Sequence, residues 1–472
     1  MKKYFPTIGL EIHAQLSTES KVFCSCLNDP NEKNPNTNIC HICTGQPGAL
    51  PVVNKEAIKK ILQVGASLKG ELADFTEFDR KHYFYPDIPK GYQISQDKYP
   101  LVKNALLNGV EIARIHLEED TARSIHDKSG GTLVDFNRSG APLMELVTKP
   151  QIRSGEQAAN FAKELQLLLR YLGVGEANME KGEMRVEANL SISSSEKLGT
   201  KVEIKNLNSF KSVEKAVAYE IERHTEILNK GEKIIQETRG WDEEKQVTLS
   251  QRQKEDSHDY RYFPEPDIPP FVLSEIEEFS LNSIVSSFPE LPWEKRERYK
   301  NNFSISDDNI EIFINSKELA SFFEDSVALI SSEIEDAPKK AANYIISDLL
   351  GMMKEDGVET VPLKASHFAE LITMISKGEL SSRGGKDVLS IMYKGEDGSA
   401  KEIAKKHDLI QSNDSESVIS LVKEVIKENP KVVKDYKDGK ESSLQFLVGQ
   451  GMKKSGGSIN PQLFRDTLKE MV

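Results

Sequence analysis

The sequence predicts an α+β protein: an N-terminal antiparallel-sheet cradle carrying a cysteine knuckle, then a helical domain and a small helical tail. Three observations predict it. The 4 cysteines all fall early, as Cys24-x-Cys26 and Cys40-x2-Cys43. Strand-length segments within residues 1–292 alternate apolar residues with His, Arg, Asn, Gln and carboxylates. Beyond Pro292 the apolar spacing changes to the i, i+3, i+4 pattern of helices, with Ile310, Phe313 and Ile314 as one stripe. The expected divisions are 1–292, 293–400 and 401–472.

The first strand runs from Ile8 to Leu16. Its even positions are apolar, and Glu11, His13 and Gln15 share the other face. The cysteines follow. Two close thiol pairs suit tetrahedral zinc, which takes four sulfurs, against the alternatives of buried or redox-active thiols. A disulfide scaffold is disfavoured because 472 residues bury a core without staples. Asn54 caps a helix to about Leu68, with Ile58, Ile61, Leu62, Gly65 and Leu68 inward. The loop 78–96 holds Lys81, His82, Tyr83 and Tyr85, and a related aromatic phrase returns at 258–267. Rings beside cations stack nucleobases, and they also serve as ordinary loop packing.

The strand Ala113–Glu118 places Arg114, His116 and Glu118 together and runs on into Glu119 and Asp120. Alternation sends Glu118 and Glu119 to opposite faces. Ser154 with Gln157 forms a capping box for a helix that ends at Gly173. Two more strands repeat the mixed design: Met184–Leu190 with Arg185, Glu187 and Asn189, and Val202–Lys205 with Glu203 and Lys205. A helix from about Phe210 to Lys230 turns Val213, Val217, Ile221, Ile227 and Leu228 inward.

The bland account of these faces is a half-exposed sheet merely wetted by solvent. The sharper one is a carboxylate-lined surface for Mg-ATP. Hard oxygen ligands beside an imidazole suit Mg²⁺, and Arg and Lys nearby neutralise a transferring phosphoryl group. No G-x4-G-K-[ST] loop occurs, so a nucleotide site here is of another type. The net charge of -13 argues against indiscriminate nucleic-acid binding and leaves room for a local basic surface. No apolar run approaches a membrane span, and the first residues lack a signal peptide's apolar core, so a cytoplasmic protein with no membrane association is expected.

Several phrases occur in order: I-G-L-E-I-H at 8–13, T-G-Q-P-G-A-L-P at 44–51, F-D-R-K-H-Y-F-Y-P-D-I-P-K-G-Y-Q-I-S-Q at 78–96 and I-H-L-E-E-D at 115–120. L-V-D-F-N-R-S-G-A-P-L-M-E-L-V at 133–147, G-E-M-R-V-E-A-N at 182–189, E-I-K-N-L-N-S-F at 203–210 and H-D-Y-R-Y-F-P-E-P-D at 258–267 follow. Together they resemble the GatB family, the B subunits of aspartyl/glutamyl-tRNA amidotransferases. The related GatE subunit carries an extra inserted domain, for which this chain shows no segment of suitable size.

The resemblance implies a kinase-like cradle that uses ATP and Mg²⁺ to phosphorylate the side-chain carboxylate of Glu-tRNA(Gln) or Asp-tRNA(Asn). Ammonia then displaces the phosphate. It also implies two partners: an amidase A subunit that supplies ammonia from glutamine, and a small C subunit completing a heterotrimer. The activity would be that of a carbon–nitrogen ligase with glutamine as amido donor.

Residue by residue, the resemblance gives Glu11 and His13 as Mg²⁺ ligands, with Glu118 and Glu119 as the acidic pair and Glu119 the assigned third ligand. Glu187 is a further ligand or general base. Asp135, Arg138, Arg185 and Lys205 are candidates for phosphate, with a structural link as the alternative for Asp135 and Arg138. Cys24, Cys26, Cys40 and Cys43 match the zinc-bearing version of the family, as a structural brace. Lys81, His82 and Tyr83 would guide the tRNA acceptor end. The lysine-richer tail is similar to the small YqeY proteins, with Lys453, Lys454 and Arg465 on tRNA phosphates. The rival reading is a non-catalytic, zinc-braced tRNA-binding scaffold.

Overall fold

A computed structural model describes residues 3–29, 31–126, 130–253, 261–411, 415–455 and 459–472. His258, Asp259 and Tyr260 of the returning aromatic phrase, and Gly456 and Gly457 of the expected tail loop, lie outside the described residues. The chain divides into two compact units, Met1–Pro292 and Trp293–Val472.

The strands of the first unit are β1 (Phe5–Gln15), β2 (Glu71–Leu72), β3 (Phe75–Thr76), β4 (Asp79–His82), β5 (Tyr92–Ser95), β6 (Val102–Leu107), β7 (Val110–Glu119) and β8 (Arg123–His126). They continue as β9 (Thr132–Asp135), β10 (Pro142–Thr148), β11 (Met184–Ser193), β12 (Val202–Leu207), β13 (Glu237–Asp242), β14 (Val247–Gln253), β15 (Phe263–Pro264) and β16 (Phe271–Val272). A 9-stranded sheet dominates, in the order β14-β13-β12-β11-β1-β10-β7-β6-β2. It departs from the antiparallel expectation at one junction, where β12 and β13 run parallel. The long helix between those two strands makes that crossover possible.

That helix is α3 (Phe210–Asn229), and with α1 (Lys55–Ser67) and α2 (Gly155–Tyr171) it packs against the sheet. Ile8, Leu10, Ile12 and Ala14 of β1 are essentially sealed. With the apolar face covered by helices, alternation leaves Glu11, His13 and Gln15 on the opposite face.

The caps follow the sequence closely. Asn54 accepts from the N–H groups of Glu56 and Ala57. Ser154 accepts from Gln157, but the Gln157 side chain reaches the N–H of Arg153 rather than that of Ser154, so half of the capping box forms. A Cβ on Gly155 would lie 2.1 Å from the carbonyl oxygen of Glu214, so the close approach of α2 to α3 needs glycine there. The buried stripe of α3 runs through Val213, Ala216, Val217, Glu220 and His224. Ile221, Ile227 and Leu228, expected inward, are only half-buried. Glu220 displaces them because its charge is matched: it pairs with Arg223, His224, Arg239 and Thr248.

The second unit is helical. Tyr299 sits at the centre of an aromatic cluster with Phe303, Phe313 and Phe323. The helix Ala400–Lys406 packs against Ala365–Ser376 and Ser382–Tyr393, so a division at 400/401 would detach it from its neighbours. A separate small core begins later and joins Val418, Val422, Val425, Leu444, Leu447, Phe464 and Leu468. No helix among the described residues is long and apolar enough to cross a membrane.

Candidate functional site

The register of the central strands assembles the site. His13 of β1 lies opposite Arg185 of β11 on one side and Glu145 of β10 on the other. Glu145 in turn lies opposite His116 of β7. Two residues along, Glu11 faces Glu187. One row over, Gln15 aligns with Leu143, and Leu143 with Glu118. Strands distant in sequence thus bring Glu11, His13, Glu118, Glu145 and His116 onto one patch of the polar face.

The contacts there are close. His13 Nε2 is 3.4 Å from Glu118 and 3.4 Å from Glu145. His116 Nε2 is 3.4 Å from Glu145 and 3.8 Å from Glu118. Ser95 of β5 donates to Glu118 at 3.0 Å. Two triads have ligand atoms mutually within 4.8 Å: Glu11, His13 and Glu145, and His116, Glu118 and Glu145. Both suit a hard divalent cation.

The electrostatics follow from burial and this pairing. Burial and the Glu145 charge push the Glu11 carboxyl above its ordinary value. Burial opposes a charge on both imidazoles, yet the neighbouring carboxylates outweigh it, holding His13 well above and His116 above the usual range. Burial likewise opposes ionisation of Glu118 and Glu145, and the imidazoles outweigh it, holding both carboxyls below theirs. Lys81 of β4 stands near Glu118 and Glu145, which hold its ammonium charged against burial.

The flanking residues divide by role. Lys205 bonds Glu187 at 2.9 Å and lies 3.4 Å from Glu203, beside Glu11. Arg138 is paired with Asp120 and donates to the Gly182 carbonyl, while Arg185 stands 3.9 Å from Asp120. A polar cavity of ≈ 370 Å³ opens there, lined by Gln15, Arg123, Arg138 and Lys181 among others. Asp135 also lines it, but its carboxylate accepts from the N–H groups of Asn36 and Asn137 and so braces the cysteine loop.

Glu119, grouped in the sequence with Glu11 and His13 as a ligand, turns away from them. It accepts from Lys90 at 2.6 Å and from the Ile94 N–H at 2.8 Å. Strand alternation is the reason, and Glu145 stands in the triad instead. His82 stacks on Phe263 at 4.6 Å between centroids, a packing contact, and Tyr83 reaches Gln93 at 3.5 Å.

Two residues escaped the sequence reading as site members. Glu145 sits in Pro142–Thr148, a nearly all-apolar strand, and is 4% exposed. A lone carboxylate in such a run was the available signal. His116, 2% exposed, was visible on its strand face, but nothing local tied it to His13.

Cys24, Cys26, Cys40 and Cys43 also converge to within 4.8 Å. Cys40 and Cys43 sulfurs are 3.9 Å apart, near the ~3.8 Å edge of a tetrahedron with 2.3 Å metal–sulfur bonds. A hydrogen bond from Cys24 pulls the Cys43 thiol down to about 4, which favours its thiolate form. The four sulfurs can hold a metal ion, and as a closed set they leave no position for substrate. In the tail, Lys453 is exposed, Lys454 is paired with Glu424 and Glu428, and Arg465 is half-buried.

A carboxylate–imidazole patch and a four-cysteine cluster in a sheet-rich unit, followed along the chain by a helical unit, define a class of protein. Residues 6–277 match the GatB/GatE catalytic domain, and residues 321–472 match the GatB domain. The chain belongs to the GatB family. It is 44% identical to the B subunit of the aspartyl/glutamyl-tRNA(Asn/Gln) amidotransferase of Thermodesulfovibrio yellowstonii, over 99% of this chain and 98% of that one. The B subunits of the same name from Persephonella marina and Thermotoga maritima are 42% and 41% identical, each over 100% of this chain and 100% and 99% of theirs.

Proposed function

We propose that this chain is the B subunit of a tRNA-dependent amidotransferase, working in the cytoplasm in a heterotrimer with an amidase A subunit and a small C subunit. It acts as a carbon–nitrogen ligase on Glu-tRNA(Gln) or Asp-tRNA(Asn), with glutamine as amido donor. The relatives' shared name supports the overall reaction. The observation that carries the chemistry is the convergence of Glu11, His13 and Glu145 on one sheet face.

The side-chain carboxylate of the attached amino acid is a poor acyl donor, because its leaving group would be oxide. In the proposed reaction one of its oxygens attacks the γ-phosphorus of ATP, the bond to ADP breaks, and an acyl phosphate forms. Ammonia then adds to the carbonyl carbon, loses a proton, and phosphate leaves. Bound Mg²⁺ supplies charge neutralisation on the phosphoryl oxygens. Glu11, His13 and Glu145 fit it as hard oxygen and imidazole donors, in a kinase-like use of the sheet.

The chain's other residues orient and discharge the reactants. Arg123, Arg138 and Lys181 offer cations along the polar cavity, which has room for a triphosphate. Lys81 adds positive charge beside the cluster. Glu187, opposite Glu11 and held by Lys205, takes the proton released as ammonia adds in this reading. The cysteine knuckle holds zinc as a brace for the adjoining loop. Lys453 and Arg465 contact the tRNA backbone.

The test is amidation by the reconstituted complex with ammonium chloride replacing glutamine. Glu11→Gln should lower formation of ADP and of amidated tRNA by roughly a hundredfold or more, since it weakens a ligand worth several kcal/mol of transition-state stabilisation. Uncharged tRNA should give no coupled ADP. Full turnover by Glu11→Gln would leave the sheet a scaffold.

A further inference from the structure

The cluster is larger than one cation needs. Besides Glu11, His13 and Glu145, the face holds a second complete triad, His116, Glu118 and Glu145, which shares only Glu145 with the first. We propose that it holds a second divalent cation, with the Glu145 carboxylate bridging the two.

Three features carry this. The first is distance. The contacts of His116 Nε2 with Glu145 and Glu118, at 3.4 and 3.8 Å, are too long for charge-assisted hydrogen bonds, which run about 2.7–2.9 Å. They match two ligands of one octahedral ion. Bonds of ~2.1 Å put neighbouring ligands ~3 Å apart and opposite ones ~4.2 Å apart. The second is burial without a partner. His116 is 2% exposed, its Nδ1 has no hydrogen-bond partner, and its Nε2 points at the carboxylates. No ordinary hydrogen bond compensates that desolvation.

The third is charge. Glu11, Glu118 and Glu145 are three carboxylates in one patch, with Glu187 beside them and Lys81 nearby. With Lys81 counted and both imidazoles taken as neutral ligands, one divalent ion leaves the triad carboxylates no better than neutral. A γ-phosphoryl group and an acyl carboxylate, both anionic, must meet there. A second ion makes the patch attractive to both, as in two-metal phosphoryl-transfer sites with ions about 3.5–4 Å apart. What the second ion would do rests on the phosphoryl-transfer reading; how many ions bind does not.

Mn²⁺ alone, titrated into the full-length chain with its cysteine site zinc-filled, is the probe. Free Mn²⁺ is counted by electron paramagnetic resonance, and the bound signal is inspected for exchange coupling. The expected result is two Mn²⁺ per wild-type chain with a coupled spectrum. His116→Leu and Glu118→Gln should each fall to one uncoupled ion, with the thermal melt confirming that the variant is folded. One ion in the wild type overturns the second site and leaves the proposed function standing. Two ions that are uncoupled, or that survive both substitutions, place the second ion elsewhere and also overturn it. No bound Mn²⁺ at all would fail the cation reading of the proposed function itself.

Discussion

Glu220 of α3 gives a stability prediction with a magnitude. It is fully buried, hydrogen-bonds Arg223 of its own helix and Thr248 of β14, and stands 3.1 Å from both His224 of that helix and Arg239 of β13. Burial alone would raise its carboxyl, but these partners outweigh it and hold it at about 2, against an ordinary value of 4.5. A depression of that size corresponds to roughly 3 kcal/mol of folding stability. Because the folded value is the lower one, the contribution is complete above pH 4.5 and is lost as pH falls towards 2. Glu220→Gln should therefore destabilise the first unit by about 3 kcal/mol at pH 7. The difference should hold constant from about pH 8 to 5.5 and narrow only below about 4.5. Urea unfolding of the full chain in a Trp293→Phe background checks this, since the remaining tryptophan, Trp241, lies on β13. A difference that changed chiefly between about pH 8 and 6 would show that His224, rather than Arg223 and Arg239, carries the interaction and would refute the argument. A loss under about 1 kcal/mol would show the network to be replaceable.

Two further predictions concern the brace and the tail. Cys43→Ser removes one of the four sulfurs, and zinc content should fall from about one per chain to a tenth or less by mass spectrometry of the metal, because the closed set needs all four. For tRNA binding, Lys453→Ala and Arg465→Ala should each reduce the slope of log affinity against log salt by about 1. Lys454→Ala should change it less, because Glu424 and Glu428 already neutralise that ammonium; equal slopes for all three would contradict the assignment.

Local chemistry made much of this protein legible. Asn54 and Ser154 mark helix starts because a side-chain oxygen meets N–H groups only two or three residues away. The strand faces of Glu11, His13, Arg185, Glu187 and Lys205 follow from a period of two, and the convergence of the four cysteines from their paired spacing. The ordered motifs settled the family. Partnership across strands was different. Glu145 lies far along the chain from His13, and only the antiparallel register of β1, β10 and β7 sets it between two imidazoles. Whether Glu118 or Glu119 joined them depended on which of the two shared a face with His13 and Glu145 once β7 had paired with β10. A sequence records that the two point oppositely, but not which neighbour each will find. Glu220 and His224 interrupted an apolar stripe for the same reason, since the guanidinium of Arg239 that offsets the buried charge arrives on another strand. Alternation and capping are set by bonds a few residues long and can be read in one dimension. The energy of a buried charge depends on what folding places beside it, and that was decided only in three.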